Sequence, residues 1–312
     1  MGDIIGDNML WTEKYRPNTL SEIVGQEHFV LDAQTWVAEM NMPNVLISGV
    51  AGTGKTTAGI ALAKDILKDS FKDNFFEVNA SDDRKLETVR NKIKEIARTV
   101  TMGNSPFKIL LLDEMDGMTK DAQNALKRIM ERYSSNIRFI ITCNDKHRII
   151  HPLQSRCANY RFNLLQDKVI LDIMLQIIEK EGLVSKFDLD DLRRFIYSIN
   201  GDIRRAITEL QATKSSGNSL VKQIETNLDE YSKAINMLVE KDGNALDYIH
   251  NMVYKGFTVK EICLGLHDVV VSSQGMDNAL KFKFLKVIGE TEWRSNTMTP
   301  KVILSWMVGN LT

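Results

Sequence analysis

Residues 49–56 read Gly-Val-Ala-Gly-Thr-Gly-Lys-Thr, the spacing of a phosphate-binding loop. Such a loop needs an apolar strand before it and a helix after it. Residues 44–48 (Asn-Val-Leu-Ile-Ser) and 57–63 (Thr-Ala-Gly-Ile-Ala-Leu-Ala) supply both. Gly49, Gly52 and Gly54 let the backbone turn tightly and aim its N–H groups, with those of Thr53, at phosphate oxygens. The following helix adds its positive N-terminal end. In this pattern Lys55 reaches the β- and γ-phosphates, and Thr56, with Thr57 beside it, meets a Mg²⁺ ion. A glycine-rich turn with a chance lysine is the plain alternative, and the order strand, loop, helix argues against it.

A second motif fits the first. Residues 109–114, Ile-Leu-Leu-Leu-Asp-Glu, form an apolar run ending in two carboxylates. A parallel strand buried on both faces reads this way, and ligands bind at the carboxyl ends of such strands. Asp113 is expected to complete the Mg²⁺ site and Glu114 to orient the attacking water. As neighbours on a strand, the two acids are expected to point to opposite faces.

Residues 43–162 alternate strand and helix patterns. Strands are expected at 44–48, 75–79, 107–112, 137–143 and 159–162. Amphipathic helices are expected at 86–100 and at 119–133, the latter with Thr119 as N-cap. The alternation implies an α/β domain, a mostly parallel sheet with helices on both faces. Beyond residue 165 the pattern is helical, and the polar stretch 214–219 is a candidate boundary. The expected domains are 1–164, 165–218 and 219–312.

Forty basic and 41 acidic residues leave a net charge of −1, so any nucleic-acid site must be a local patch. The basic helix expected at 84–98 carries Arg84, Arg90 and Lys92 and has no aromatic residues for base stacking. It is either a solvated face or a track for a nucleic-acid backbone. Cys143, Cys157 and Cys263 are far apart and show no zinc spacing, which fits a reducing compartment. No apolar run approaches the roughly 18 residues of a membrane span. A soluble intracellular protein is expected, without a membrane partner.

Several segments together resemble the clamp-loader ATPases, specifically the replication factor C small-subunit family. They are Trp-Thr-Glu-Lys-Tyr-Arg-Pro at 11–17, Ile-Val-Gly-Gln-Glu at 23–27, Phe-Glu-Val-Asn-Ala-Ser-Asp at 76–82 and Leu-Asp-Glu-Met-Asp at 112–116. To these add Asp-Ala-Gln-Asn-Ala-Leu at 121–126, Pro-Leu-Gln-Ser-Arg-Cys at 152–157 and Gly-Asp-Ile-Arg-Arg-Ala at 201–206. The resemblance is dense from residue 11 to about 210. Phage clamp-loader large subunits are also similar. The bacterial clamp-loader ATPase carries a cysteine-rich zinc element that is missing here. Val50 departs from the proline usual in the family.

The resemblance implies an AAA+ module with an all-α lid and an all-α collar. It puts Tyr15, Arg16, Pro17, Val24 and Gly25 against adenine. It makes Asn144 the γ-phosphate sensor, Arg204 the lid arginine on the same subunit's phosphates, and Arg156 a finger acting in trans on a neighbour's ATP. It sets Arg84, Arg90 and Lys92 along DNA, and Met115 and Met118 on a ring-shaped sliding clamp, although methionines just after a buried strand also suit a core. The implied partners are other clamp-loader subunits in a pentamer, the clamp, and primer–template DNA read without sequence specificity. The implied compartment is cytoplasm for an archaeal or phage protein and nucleus for a eukaryotic one. Two other functions stay open: a structural subunit that binds ATP without turnover, and an AAA+ fork-remodelling or branch-migration ATPase.

Overall fold

The structure, a computed structural model of the chain, describes residues 9–80, 93–96, 99, 101, 103, 105–184, 187–199, 201–216, 220–273 and 275–312. The chain divides into two units, one up to residue 217 and the other from residue 218.

The first unit begins with helix α1 (Trp11–Lys14) and α2 (Glu27–Ala38), followed by strand β1 (Val45–Ser48), α3 (Lys55–Leu67) and α4 (Phe71–Asn74). Then come β2 (Phe75–Asn79), β3 (Lys108–Asp113), α5 (Lys120–Arg132), β4 (Ile137–Cys143), α6 (His151–Gln154) and β5 (Ala158–Arg161). The five strands form one sheet in the order β2-β3-β4-β1-β5, and every neighbouring pair is parallel. β2 and β4 match the expected ranges. β1 starts one residue later than expected, β3 is shifted one residue forward and β5 one residue back.

Strand alternation separates two cores. Leu46, Leu110, Leu112, Phe139 and Ile141 face one side, where α5 packs Leu126, Ile129 and Met130 onto them. Val45, Ile47, Ile109, Leu111 and Ile140 face the other, against Phe29 of α2 and Leu62 and Ile66 of α3. Because the side-chain period is two, each strand feeds both layers and must be apolar throughout, as these runs are. Thr119 caps α5 as expected, its hydroxyl accepting from the Ala122 amide. Of the helix expected at 86–100, residues 93–96 are helical, with Ile93 and Ile96 buried in the α5-side core.

Helices α7 (Asp167–Lys180), α8 (Leu189–Ser198) and α9 (Ile203–Ser216) complete the first unit. Ile170, Met174, Ile177, Phe195, Ile196 and Leu210 are buried among them. The second unit has helices alone as regular elements among its described residues: α10 (Leu220–Val239), α11 (Ala245–Tyr254), α12 (Val259–Ser272), α13 (Asn278–Arg294) and α14 (Pro300–Leu311). Its core gathers Ile249, Ile262, Leu266, Phe284, Ile303 and Met307. A reciprocal Thr258–Glu261 capping box starts α12. Further along α12, a Cβ on Gly265 would come within 2.3 Å of the Tyr231 ring, so only glycine allows α12 to approach α10 so closely.

Candidate functional site

Leaving the sheet at Ser48, the chain loops over the carboxyl edge of β1 and enters α3 at Lys55. Lys55 is 9% exposed, and its ammonium donates to three oxygens: Gly49 O at 2.9 Å, Val50 O at 2.8 Å and Asn144 Oδ1 at 2.9 Å. Burial holds its pKa below the usual lysine value, although the Asp113 carboxylate pulls the other way. Thr53 Oγ1 donates to Val50 O at 2.9 Å and fixes the turn. Gly52 has φ +79°, and a Cβ there would meet Asp202 Oδ1 at 2.2 Å. The loop therefore needs glycine at this point for both conformation and space. Asp202 also accepts from the Arg205 amide at 3.1 Å and begins α9. Through this contact the lid helix abuts the phosphate loop.

Asp113 ends β3 directly across from Thr56, whose Oγ1 donates to Oδ1 at 3.0 Å and lies 3.1 Å from Oδ2. Thr142 Oγ1 on β4 makes a short hydrogen bond to the same Asp113 Oδ1. The Glu114 amide donates back to Thr142 Oγ1 at 3.2 Å. Glu114 itself has φ +53°, ψ 42°, an uncommon conformation for a residue with a side chain. Strand alternation alone would put the two acids on opposite faces. Instead both line the same cleft, because the backbone leaves the strand at Asp113 and turns left-handed at Glu114. Strain of this kind gathers at functional sites.

The hydroxyl of Thr56 and the carboxylate of Asp113 are oxygen donors of the type that Mg²⁺ takes, so this corner fits the ion. Among the described residues no group of three or more His, Cys, Asp or Glu could hold a metal unaided. Mg²⁺ usually keeps several waters and shares its coordination with phosphate oxygens, so two protein donors suffice.

The cleft measures about 780 Å³. One wall carries Gly52, Thr53, Gly54, Lys55, Thr56 and Thr57 of the loop, with Asp113, Glu114 and Asn144 behind them. The other carries Tyr15, Arg16, Pro17, Val24 and Gly25, and Arg204 closes the lid side from the first turn of α9. Gly49 is not on the lining; its amide donates to Cys143 O at 3.2 Å and ties the loop to β4.

Several residues that hold this arrangement have no role legible in the sequence, although Gln26 and Gln123 sit inside the segments 23–27 and 121–126. Glu181, just past α7, accepts from Lys14 Nζ at 2.5 Å, Tyr15 Oη at 2.5 Å and Lys214 Nζ at 2.7 Å. Burial works to raise its pKa, but the three donors outweigh that and bring it down to about 2. Gln26, 1% exposed, donates to Asn163 O at 2.9 Å and braces the Val24–Gly25 corner against the exit from β5. Gln123 on α5 spans three backbone groups: it donates to Met118 O at 3.1 Å and Arg148 O at 3.0 Å, and accepts from the Ile150 amide at 2.8 Å. A lone Gln or Glu has no periodic signature. For Gln26 and Gln123 the signal is membership of a segment that carries the family resemblance, and for Glu181 only its burial singles it out.

Arg156 does not line its own chain's cleft. It follows α6, with Nε 3.1 Å from Glu131 Oε1 and Nη1 2.7 Å from Pro152 O, and its side chain is 36% exposed. Met115 and Met118 require a correction. They are 0% and 8% exposed and pack in the α5-side core with Leu112, Ile141 and Leu153, so they present no surface to a clamp. The 3₁₀ turn at Met115–Gly117 folds the chain back over the sheet edge and carries both side chains inward. Arg84, Arg90 and Lys92 lie outside the described residues.

The profile of the ATPase family associated with various cellular activities (AAA) matches residues 45–163. The chain is also 40% identical to the replication factor C small subunit of Archaeoglobus fulgidus, over 91% of each chain. It is 40% identical to that of Saccharolobus solfataricus, over 92% of this chain and 89% of the other. The chain belongs to the replication factor C small-subunit family. It is a clamp-loader ATPase of DNA replication, built on an AAA+ nucleotide-binding fold. The replication factor C C-terminal domain profile matches residues 218–299, inside the second helical unit. Among solved structures, the Thermotoga maritima RuvB Holliday junction branch migration motor superposes with a TM-score of 0.55 at 16% identity, covering 80% of this chain and 85% of that one. At that identity the likeness concerns fold alone. No helix among the described residues is long and apolar enough to cross a membrane.

Proposed function

We propose that this replication factor C small subunit works within an ATP-driven assembly that opens a ring-shaped sliding clamp, places it on primer–template DNA and lets go when ATP is hydrolysed. The observation that carries the reading is the convergence of Lys55, Thr56, Asp113, Glu114, Asn144 and Arg204 on one cleft in a chain of this family. Lys55 moves from the loop carbonyls to the β- and γ-phosphates. Asn144, already bonded to Lys55, stands beside the γ-phosphate. Glu114 polarises the attacking water, and Arg204 neutralises charge from the lid side. Tyr15, Arg16, Pro17, Val24 and Gly25 enclose the adenine. Thr56 and Asp113 hold Mg²⁺, which when bound offsets the negative charge of the phosphates.

Arg156 belongs at a neighbouring subunit's nucleotide, in keeping with its distance from its own cleft. A guanidinium supplied in trans accelerates phosphoryl transfer by about 10³–10⁵-fold. Arg84, Arg90 and Lys92 contact the DNA backbone without reading sequence. The partners are other clamp-loader subunits, five in all, with the clamp and the primed DNA. A subunit that binds ATP without turnover would not need Glu114 or the strained turn that presents it.

The test is clamp- and DNA-stimulated ATPase of the reconstituted complex. Lys55→Ala is expected to abolish binding or turnover. Glu114→Gln is expected to bind ATP normally and to hydrolyse about 10²–10⁴-fold more slowly. Wild-type turnover by the Glu114→Gln complex would overturn the water-orienting role.

A further inference from the structure

The base-side wall of the cleft is fastened more to the lid than to the sheet. The Trp11 amide donates to Gln211 Oε1 on α9 at 2.9 Å, and the Trp11 ring is 3% exposed. Lys14 and Tyr15 both donate to Glu181 at the end of α7, and Lys214 of α9 donates to its other oxygen. The Lys180 ammonium lies 5.8 Å from the Tyr15 ring centroid. On the sheet side, the same segment is tied to α3 further along, where Lys64 Nζ meets Asn18 Oδ1 at 2.6 Å and the Leu20 amide meets Asp65 Oδ2 at 2.8 Å.

One carboxylate, 5% exposed, therefore gathers three donors from two separate stretches of chain. Charge-assisted bonds to a carboxylate this buried are directional, although both lysine side chains remain partly exposed. They set where the Tyr15 backbone and ring stand relative to the lid, and Arg16 and Pro17 follow directly.

We infer that Glu181 is a positioning residue for nucleobase recognition: it fixes the Tyr15–Pro17 wall to the lid helices and so sets affinity for the base end of the nucleotide without touching it. This rests on the reading that Tyr15, Arg16 and Pro17 enclose adenine. The phosphate loop has its own supports, Gly49 on Cys143 and Lys55 on Asn144, none of which runs through Glu181. Loss of Glu181 should thus weaken the base end and spare the phosphate end.

Equilibrium binding of ATP, GTP and inorganic tripolyphosphate to the full chain separates the two ends. Glu181→Ala is expected to weaken ATP about tenfold, to shrink the preference for ATP over GTP, and to leave tripolyphosphate within about twofold. Tyr15→Phe keeps the ring but loses the bond to Glu181, and should weaken ATP in the same direction. If the two act through one contact, the double variant should bind no worse than Glu181→Ala. Should Glu181→Ala melt below the assay temperature, Tyr15→Phe with the same three ligands decides the matter alone. Equal loss of ATP and tripolyphosphate would mean a merely structural role and would overturn the inference, as would unchanged ATP binding by Tyr15→Phe. A wild-type chain that bound tripolyphosphate but showed no preference for ATP would overturn the adenine assignment itself.

Discussion

Asp113 Oδ1 accepts from two threonine hydroxyls, one from the phosphate loop's helix and one from β4, and the amide of Glu114 returns to the second of them. The carboxylate is thus fixed before any cation arrives, and Thr142 orients both acids. Lys55, Thr56 and Asp113 are legible in the sequence because local chain geometry fixes their spacing. Thr142 is not, because its role comes from strand order. β4 lies between β3 and β1 in the sheet, which no run of residues announces. Met115 fails for the opposite reason: adjacency to a catalytic strand suggests a surface, and the following turn buries it. A carboxylate in its place would be desolvated without a partner, at a cost of several kcal/mol. Met115→Asp is expected to give little folded protein and a sharply lowered melting temperature. A stable Met115→Asp chain with impaired clamp binding would return this residue to the surface.

At the scale of elements, the α/β alternation is readable because buried parallel strands must be apolar on both faces. The lid's attachment to the N-terminal segment is not, since its polar contacts rest on single residues, Glu181 and Gln211, far from that segment in sequence. The same glutamate makes a pH-dependent contribution. Its pKa in the folded chain, about 2, lies below the ordinary glutamate value of 4.5, so the stabilisation is complete above pH 4.5 and is lost as pH falls through about 2. Melting curves of wild type and Glu181→Gln should be well separated near neutral pH, and the gap should narrow steadily below about pH 4. A gap independent of pH would mean that the carboxylate charge is not what the three donors use.

Across the whole molecule, the two units have separate cores, one built around a sheet and one from helices alone. Function in trans belongs to this scale. Arg156 is held by Glu131 of its own chain, and the trans role proposed for it would require that contact to open. That exposed pair is a weak restraint, worth about 1 kcal/mol or less. Arg156→Ala subunits are expected to bind ATP normally yet to assemble into complexes with little hydrolysis. Mixing them with Lys55→Ala subunits should restore part of the rate, wherever an intact cleft meets an intact finger. No recovery at any ratio, with assembly verified, would count against action in trans. The strand order also governs how the protein comes into being. Among the described residues β1, which launches the phosphate loop, pairs with β4 and β5, so Val45 waits for Ile140 on one side and Ala158 on the other. A ribosome that has made the loop has not yet made its seat. The nascent chain carries its nucleotide signature long before β1 has its neighbours, and a message cut short before residue 137 would leave that strand with neither of them.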